Sequence, residues 1–326
     1  MKEPIYILCA TDNNYAPYCG IMLTSLFESN RDSEFSVYIL VDDGFSEKNK
    51  KKFNKLTVKY RNKISVIKLN KNIFENLPLH TNDSFSYITQ STYYRLLAPE
   101  IFPKEVNKCI YLDCDIIVDG DIKPLWSIDL SGKAIAGAKD GYSESHHKRM
   151  GYPSDYDYIN AGVSVYNLNY WRENHIQESV FDYIERNHGQ LTLMDQDAMN
   201  GLLYDKIELI PERYNFQISF FNRKPWQSYS DAYRKHLVEE CKDVVIVHYC
   251  CRSKPWHFSY SGGFCYSLWE KYRRVSLWRN CRITRPKRKY TKYLIKRILF
   301  KSMLRKHIEE EWIILPETKH YFGFGL

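Results

Sequence analysis

The sequence predicts an α/β fold with a mostly parallel sheet covered by helices on both faces, and two observations carry that prediction. Through the first 140 residues, short apolar runs alternate with segments of helical spacing. The runs are β-branched or apolar throughout and bounded by polar residues, which fits strands buried on both sides.

In order, residues 5–10, 35–41, 64–69 and 109–112 read as strands, and residues 17–29 and 46–60 as helices between them. Residues 91–97 look like the end of another helix, before Pro99. Further on, residues 134–138, 163–166 and 244–248 are expected strands, and residues 168–186 and 195–204 expected helices. Ligands of parallel sheets bind at the carboxyl ends of the strands. The loop after the first strand and the residues after Leu112 should therefore share one edge. No internal repeat or low-complexity linker interrupts residues 1–265, which are expected to form one domain, with 266–326 as a separate tail.

A 44% apolar composition with 27 Tyr and 16 Phe supplies a core and excludes a disordered chain. Nine cysteines without regular spacing point to reduced thiols. The first apolar run is too short for a signal-peptide core, and no run reaches the length of a membrane span. A cytoplasmic protein is expected. Net charge is +8, yet residues 269–307 hold 15 Lys and Arg against the one acid Glu270, a local +14 that leaves the rest at −6. Trp269, Tyr272, Trp278, Tyr290, Tyr293 and Phe300 are interleaved with those charges.

The sharpest chemical signal is the segment Tyr111-Leu112-Asp113-Cys114-Asp115-Ile116. An unpaired carboxylate at a buried strand end costs about 2 kcal/mol or more, a penalty that a hard divalent cation removes. The alternative is a pair of solvated turn acids. A second signal is His248, ending the apolar run 244–248, with Lys254 six residues on. An imidazole beside two carboxylates suits manganese, and a lysine there could neutralise a leaving diphosphate. Taken alone, a histidine such as His248 is more often a hydrogen-bonded core residue than a ligand; the combination with the acid pair and Lys254 points to the metal site.

Six segments in order then resemble the family 8 glycosyltransferases: Ala10-Thr11-Asp12-Asn13-Asn14-Tyr15, Tyr94-Arg95-Leu96, Tyr111-Leu112-Asp113-Cys114-Asp115, Asn160-Ala161-Gly162-Val163, Asp195-Gln196-Asp197-Ala198-Met199-Asn200, and His248 with Lys254-Pro255-Trp256. The family includes bacterial lipooligosaccharide galactosyltransferases and lipopolysaccharide glucosyltransferases, with glycogenin as a distant relative. The resemblance implies a GT-A, Rossmann-like fold and Mn2+, or alternatively Mg2+, held by Asp113, Asp115 and His248. It implies a UDP-hexose donor contacted by Ala10, Thr11, Asp12, Asn14, Tyr15, Arg95, Asp113 and Cys114, with Cys251 and Lys254 near the diphosphate. Asn160, Asp195, Gln196 and Asp140 would surround the hexose. Cys251 stands where relatives often carry glycine, and its side chain could crowd the phosphate loop.

The same resemblance implies transfer with retention to a saccharide or lipid-linked saccharide acceptor, giving an α-linkage. Gln196, an amide and poor nucleophile, favours front-face attack, with Asp195 as the alternative nucleophile. For the basic tail, an anionic inner-leaflet surface is the expected partner rather than nucleic acid, through a shallow interfacial helix over residues 290–308. A dehydrogenase reading fails because the loop after the first strand lacks a glycine-rich turn. A phosphohydrolase and a non-catalytic sugar-binding scaffold remain as alternatives.

Overall fold

The computed structural model describes residues 3–74, 77–78, 90–187, 189–252, 254–257, 265–281 and 313. Strands β1 (Ile5–Ala10), β2 (Phe35–Asp42), β3 (Lys63–Leu69) and β4 (Lys108–Leu112) pair in parallel in the order β3-β2-β1-β4. Helix α1 (Ala16–Ser29) follows β1, and α2 (Glu47–Tyr60) crosses over between β2 and β3. Buried apolar residues fill β1, β2 and β4, so the predicted alternation of strand and helix is found with ends moved by a residue or two. Ser46 caps α2 by accepting from the Asn49 amide, and Arg61 closes it with φ 57°.

Beyond β4 the chain doubles back. After β5 (Ile116–Val118), strands β6 (Ile135–Lys139) and β7 (Ile159–Asn167) enter the large sheet, β7 running antiparallel between β4 and β6. The edge strand β8 (Ile207–Leu209) completes the order β3-β2-β1-β4-β7-β6-β8. A second, three-stranded sheet orders β5-β10-β9, with β9 (Phe216–Gln217) and β10 (Ile246–His248). One apolar cluster packs α1 and α2 against one face, and another packs residues 93–102 and 168–203 against the other.

Three expectations change. The helix expected over 168–186 is two helices, Leu168–Glu173 and Ile176–Asn187, because His175 between them adopts φ 50°. Residues 90–97 form a 3-10 helix, Gln90–Leu97. Residues 266–281 pack on the body instead of starting a free tail: helix Tyr266–Val275 contacts α1, and Trp269, Tyr272 and Trp278 are buried. Trp278 fills the space that a side chain on Gly20 would take, 2.1 Å from its ideal Cβ. These three aromatics therefore serve the core and are not available to a membrane. Apart from Ile313, whose N–H donates to the Phe221 carbonyl at 2.7 Å, the rest of the tail, including the expected helix over 290–308, lies outside the described residues. Among the described residues no helix is long and apolar enough to cross a membrane.

Candidate metal and donor site

The site assembles where β1, β4 and β10 end. The loop after β4 carries Asp113 and Asp115 from the large sheet into β5 of the small one. Antiparallel pairing sets His248 opposite Ile116, which brings the imidazole beside Asp115. One oxygen of Asp113, one of Asp115 and one nitrogen of His248 lie within 4.8 Å of one another.

Each acid has committed one oxygen and keeps the other turned toward that point. Asp113 Oδ1 accepts from Arg95 and from the Tyr111 hydroxyl, both at 2.9 Å, while its Oδ2 lies 3.9 Å from His248 Nε2. Asp115 Oδ2 takes the Lys254 ammonium, while its Oδ1 is 3.4 Å from His248 Nε2. His248 Nδ1 pairs with Asn215 Oδ1 at 2.9 Å, so the other ring nitrogen faces the acids. Gly162 leaves the space open: a Cβ there would sit 2.2 Å from His248 Cε1 and 2.8 Å from Asp113 Oδ2. Two hard oxygens and one imidazole nitrogen around a kept space suit Mn2+ or Mg2+.

The charges are strongly coupled. Burial would lower the His248 pKa, but Asp115 beside it raises it to about 8. Burial also works against ionised Asp115, yet Lys254 and His248 hold its carboxyl well below the usual range. Lys254, likewise buried, is raised by Asp115. A cation would replace the proton that His248 otherwise retains near neutral pH.

A cavity of about 570 Å³ opens above these groups. Its lining unites the expected Ala10, Thr11, Asp12, Tyr15, Arg95 and Asp113 with Cys114, Asp115, Asp140, Asn160 and Asp195, and with Gln196, His248, Cys251 and Lys254. Asp12 shapes the loop after β1 by accepting from the amides of Asn14 and Tyr15 at 2.8 and 2.7 Å. Asn14 departs from expectation: its residue is exposed and does not line the cavity. Cys114 turns inward, its thiol reaching the Ala10 carbonyl at 3.0 Å. Cys251 is half-buried on the wall, with Asn222 Nδ2 at 3.6 Å from its sulfur.

On the far wall, Asn160 donates to Asp140 Oδ2 at 3.0 Å, and Gln196 Oε1 accepts from the Ala161 amide at 3.0 Å. Asp195 is buried, binds Arg95 Nε at 2.9 Å and accepts from the Thr92 hydroxyl. Burial raises its pKa to about 6 against the pull of Arg95. Thr92, Tyr111, Asn215 and Gly162 were not predicted as site residues. Gly162 lies inside one of the six segments, whereas Asn215 has no local signal, because its partners, His248 and Asn160, are distant in sequence.

Comparison with known proteins identifies the family. Residues 6–259 match the family model described as glycosyl transferase family 8, and the chain belongs to that family. General stress protein A of Bacillus subtilis is 32% identical over 78% of this chain and 88% of its own length. Lipopolysaccharide glucosyltransferase WaaO of Escherichia coli is 26% identical over 92% of this chain and 86% of its own. The crystal structure of the galactosyltransferase LgtC with donor and acceptor sugar analogs superposes with a TM-score of 0.73 at 25% identity, covering 88% of this chain and 100% of that one. The expected GT-A fold is thereby shown, and the phosphohydrolase alternative falls.

Proposed function

We propose that the protein is a retaining hexosyltransferase that moves glucose or galactose from a UDP-sugar to a saccharide of the bacterial cell surface, forming an α-linkage with Mn2+ bound. The convergence of Asp113, Asp115 and His248 at the cavity floor, with Lys254 beside them, carries this reading. The metal supplies charge neutralisation for a bound diphosphate. Asp113, Asp115 and His248 would hold it. Lys254, kept protonated by Asp115, provides a second positive charge on the leaving-group side.

Arg95 links the two halves of the cavity by binding Asp113 and Asp195 together. A sugar resting between them would meet Asn160, Asp140 and Gln196 as hydrogen-bonding partners. Gln196 spends its side-chain oxygen on the Ala161 amide, while Asp195 Oδ1 accepts from the Thr92 hydroxyl and Oδ2 lies in an ion pair with Arg95, which ties that carboxylate to the cavity wall. This supports attack by the acceptor hydroxyl from the face that the diphosphate leaves, its proton passing to the departing phosphate oxygen. Glucosyl- and galactosyltransferase relatives support a hexose donor and a lipopolysaccharide-like acceptor. For localisation, we propose the cytoplasmic face of the membrane, near a lipid-linked acceptor.

UDP release from UDP-glucose and UDP-galactose, measured with Mn2+ and again with EDTA, tests the reading. Metal-dependent turnover of at least one donor is expected, with an α-anomer in the product by NMR. Turnover undiminished by EDTA, or a β-product, would contradict it.

A further inference from the structure

The outer face of α2 stands apart from the acidic cavity. The helix holds Lys48, Lys50, Lys51, Lys52, Lys55 and Lys59 against the single acid Glu47. Lys48, Lys51, Lys55 and Lys59, three or four positions apart, share one face, and all four are exposed. Of that row only Lys59 forms an ion pair among the described residues, with Glu28 at 3.8 Å. Like charges one turn apart repel and weaken a helix. The Lys52 pKa is lowered, by burial first and then by Lys48 and Lys55.

Apolar side chains are bared beside this row. Val58 is 80% exposed and Val275 49% exposed, and Lys59 Nζ reaches the Val275 carbonyl at 3.2 Å, which places Val275 beside the last turn of α2. Arg274 and Arg279 are exposed on the same C-terminal segment. Cys281, where the continuous described chain ends, lines one depression with Asn13, Lys48 and Lys52. The next stretch in sequence, residues 282–306, has 11 Lys and Arg and no acid. Asn13 also ties this face to the cavity: its side chain accepts from the Ser46 amide at 2.9 Å, and its neighbours Thr11, Asp12 and Tyr15 line the cavity wall.

We propose that Lys48, Lys51, Lys55 and Lys59, with Val58 and Val275, form a docking surface for the anionic lipid headgroups of a bilayer. Lysines bind the negative headgroup layer, and bared valines gain by entering the interface, which a nucleic-acid phosphate backbone would not reward. The inference goes beyond the transferase reading. Its test needs no donor, so failure of either leaves the other standing.

The test uses the full chain with vesicles of phosphatidylcholine containing phosphatidylglycerol, and with vesicles of phosphatidylcholine alone. The combined variant Lys48→Gln, Lys51→Gln, Lys55→Gln is compared with a charge-matched control, Lys104→Gln, Lys148→Gln, Lys235→Gln, and thermal unfolding establishes that both fold. The wild type should bind only the anionic vesicles and detach as salt rises. The α2 variant should bind about tenfold more weakly or worse, and the control within about threefold of wild type. Equal binding by the α2 variant and wild type would show that other segments suffice and would overturn the proposal. An equal loss in the control would reduce it to net charge and overturn it as well. Tighter binding to a homopolymeric RNA than to the vesicles, lost in the α2 variant, would assign the surface to nucleic acid instead.

Discussion

Asp113-Cys114-Asp115 and Asp195-Gln196-Asp197 have the same acid–X–acid pattern at the edge of one cavity, yet only the first turns both acids into it. The first lies in the loop between two strands, so both carboxylates can turn toward His248. The second opens the helix Asp195–Leu203, where residues two apart project about 200° from each other. Asp195 therefore turns to Arg95 at the cavity, while Asp197 turns into the protein. There it accepts from Arg149, from the Tyr158 hydroxyl at 2.6 Å, and from the Thr192 and Leu193 amides at 2.6 and 2.8 Å. Backbone setting, more than the motif, decides whether paired acids bind a cation or brace a loop.

The largest expected effect removes a cation ligand. Asp115→Asn should lower turnover by about 10³-fold or more, since it weakens the cation site and frees Lys254 from its partner. Donor turnover at saturating Mn2+ measures this, and an effect below about tenfold would break the distinction between the two segments. Asp197→Asn should do the reverse. Leaving Arg149 and two amides short of a carboxylate should cost about 3–5 kcal/mol of stability in urea unfolding. The Mn2+ affinity of the folded fraction should stay within about threefold of wild type.

Acid pH sharpens the contrast between the two members of the second pair. The Asp195 carboxyl, raised to about 6, is protonated more readily folded than unfolded. Its contribution to stability thus falls as pH rises from about 4 to 6. Asp197 is lowered, since Arg149 outweighs the burial that opposes ionisation. Its contribution is present above about pH 4, the unfolded value, and is lost as pH falls through the folded one. In metal-free protein, wild type should therefore lose on the order of 2 kcal/mol relative to Asp195→Asn between about pH 4 and 6. Urea unfolding at a series of pH values reads that difference, and a constant difference would contradict the assignment.

Two smaller effects probe the support around the first segment. Asn215→Ala should weaken Mn2+ binding about tenfold by letting the His248 ring turn, an effect that titration calorimetry can follow. Cys251→Gly should change the donor KM by less than about fivefold, because the Cys251 side chain stands on the cavity wall with its sulfur beside Asn222 Nδ2.

Legibility in the sequence followed the same division between local and distant causes. Strands β1, β2 and β4 were readable because each is a nearly continuous apolar run, and Asp113, Asp115, His248 and Lys254 because charged groups beside such runs are conspicuous. Strand β9 has only two residues and β8 three, too few to show a period. The break at His175 depends on one left-handed residue with no glycine to announce it. The burial of Trp269, Tyr272 and Trp278 is not legible, because aromatics among basic residues look like a surface pattern, whereas the helix Tyr266–Val275 packs on α1 and Gly20 leaves room for Trp278. Asn215 could not be found without the fold, since it joins a histidine 33 residues later to Asn160, 55 residues earlier.

The central claim, that Asp113, Asp115 and His248 jointly hold one divalent cation, is most directly tested by pulsed electron paramagnetic resonance of Mn2+ bound to the protein with UDP. One Mn2+ per chain with a single histidine nitrogen coupling is predicted, the coupling vanishing in His248→Ala and persisting in Asp197→Asn. A coupling unchanged in His248→Ala, or no coupling in the wild type, would contradict the account.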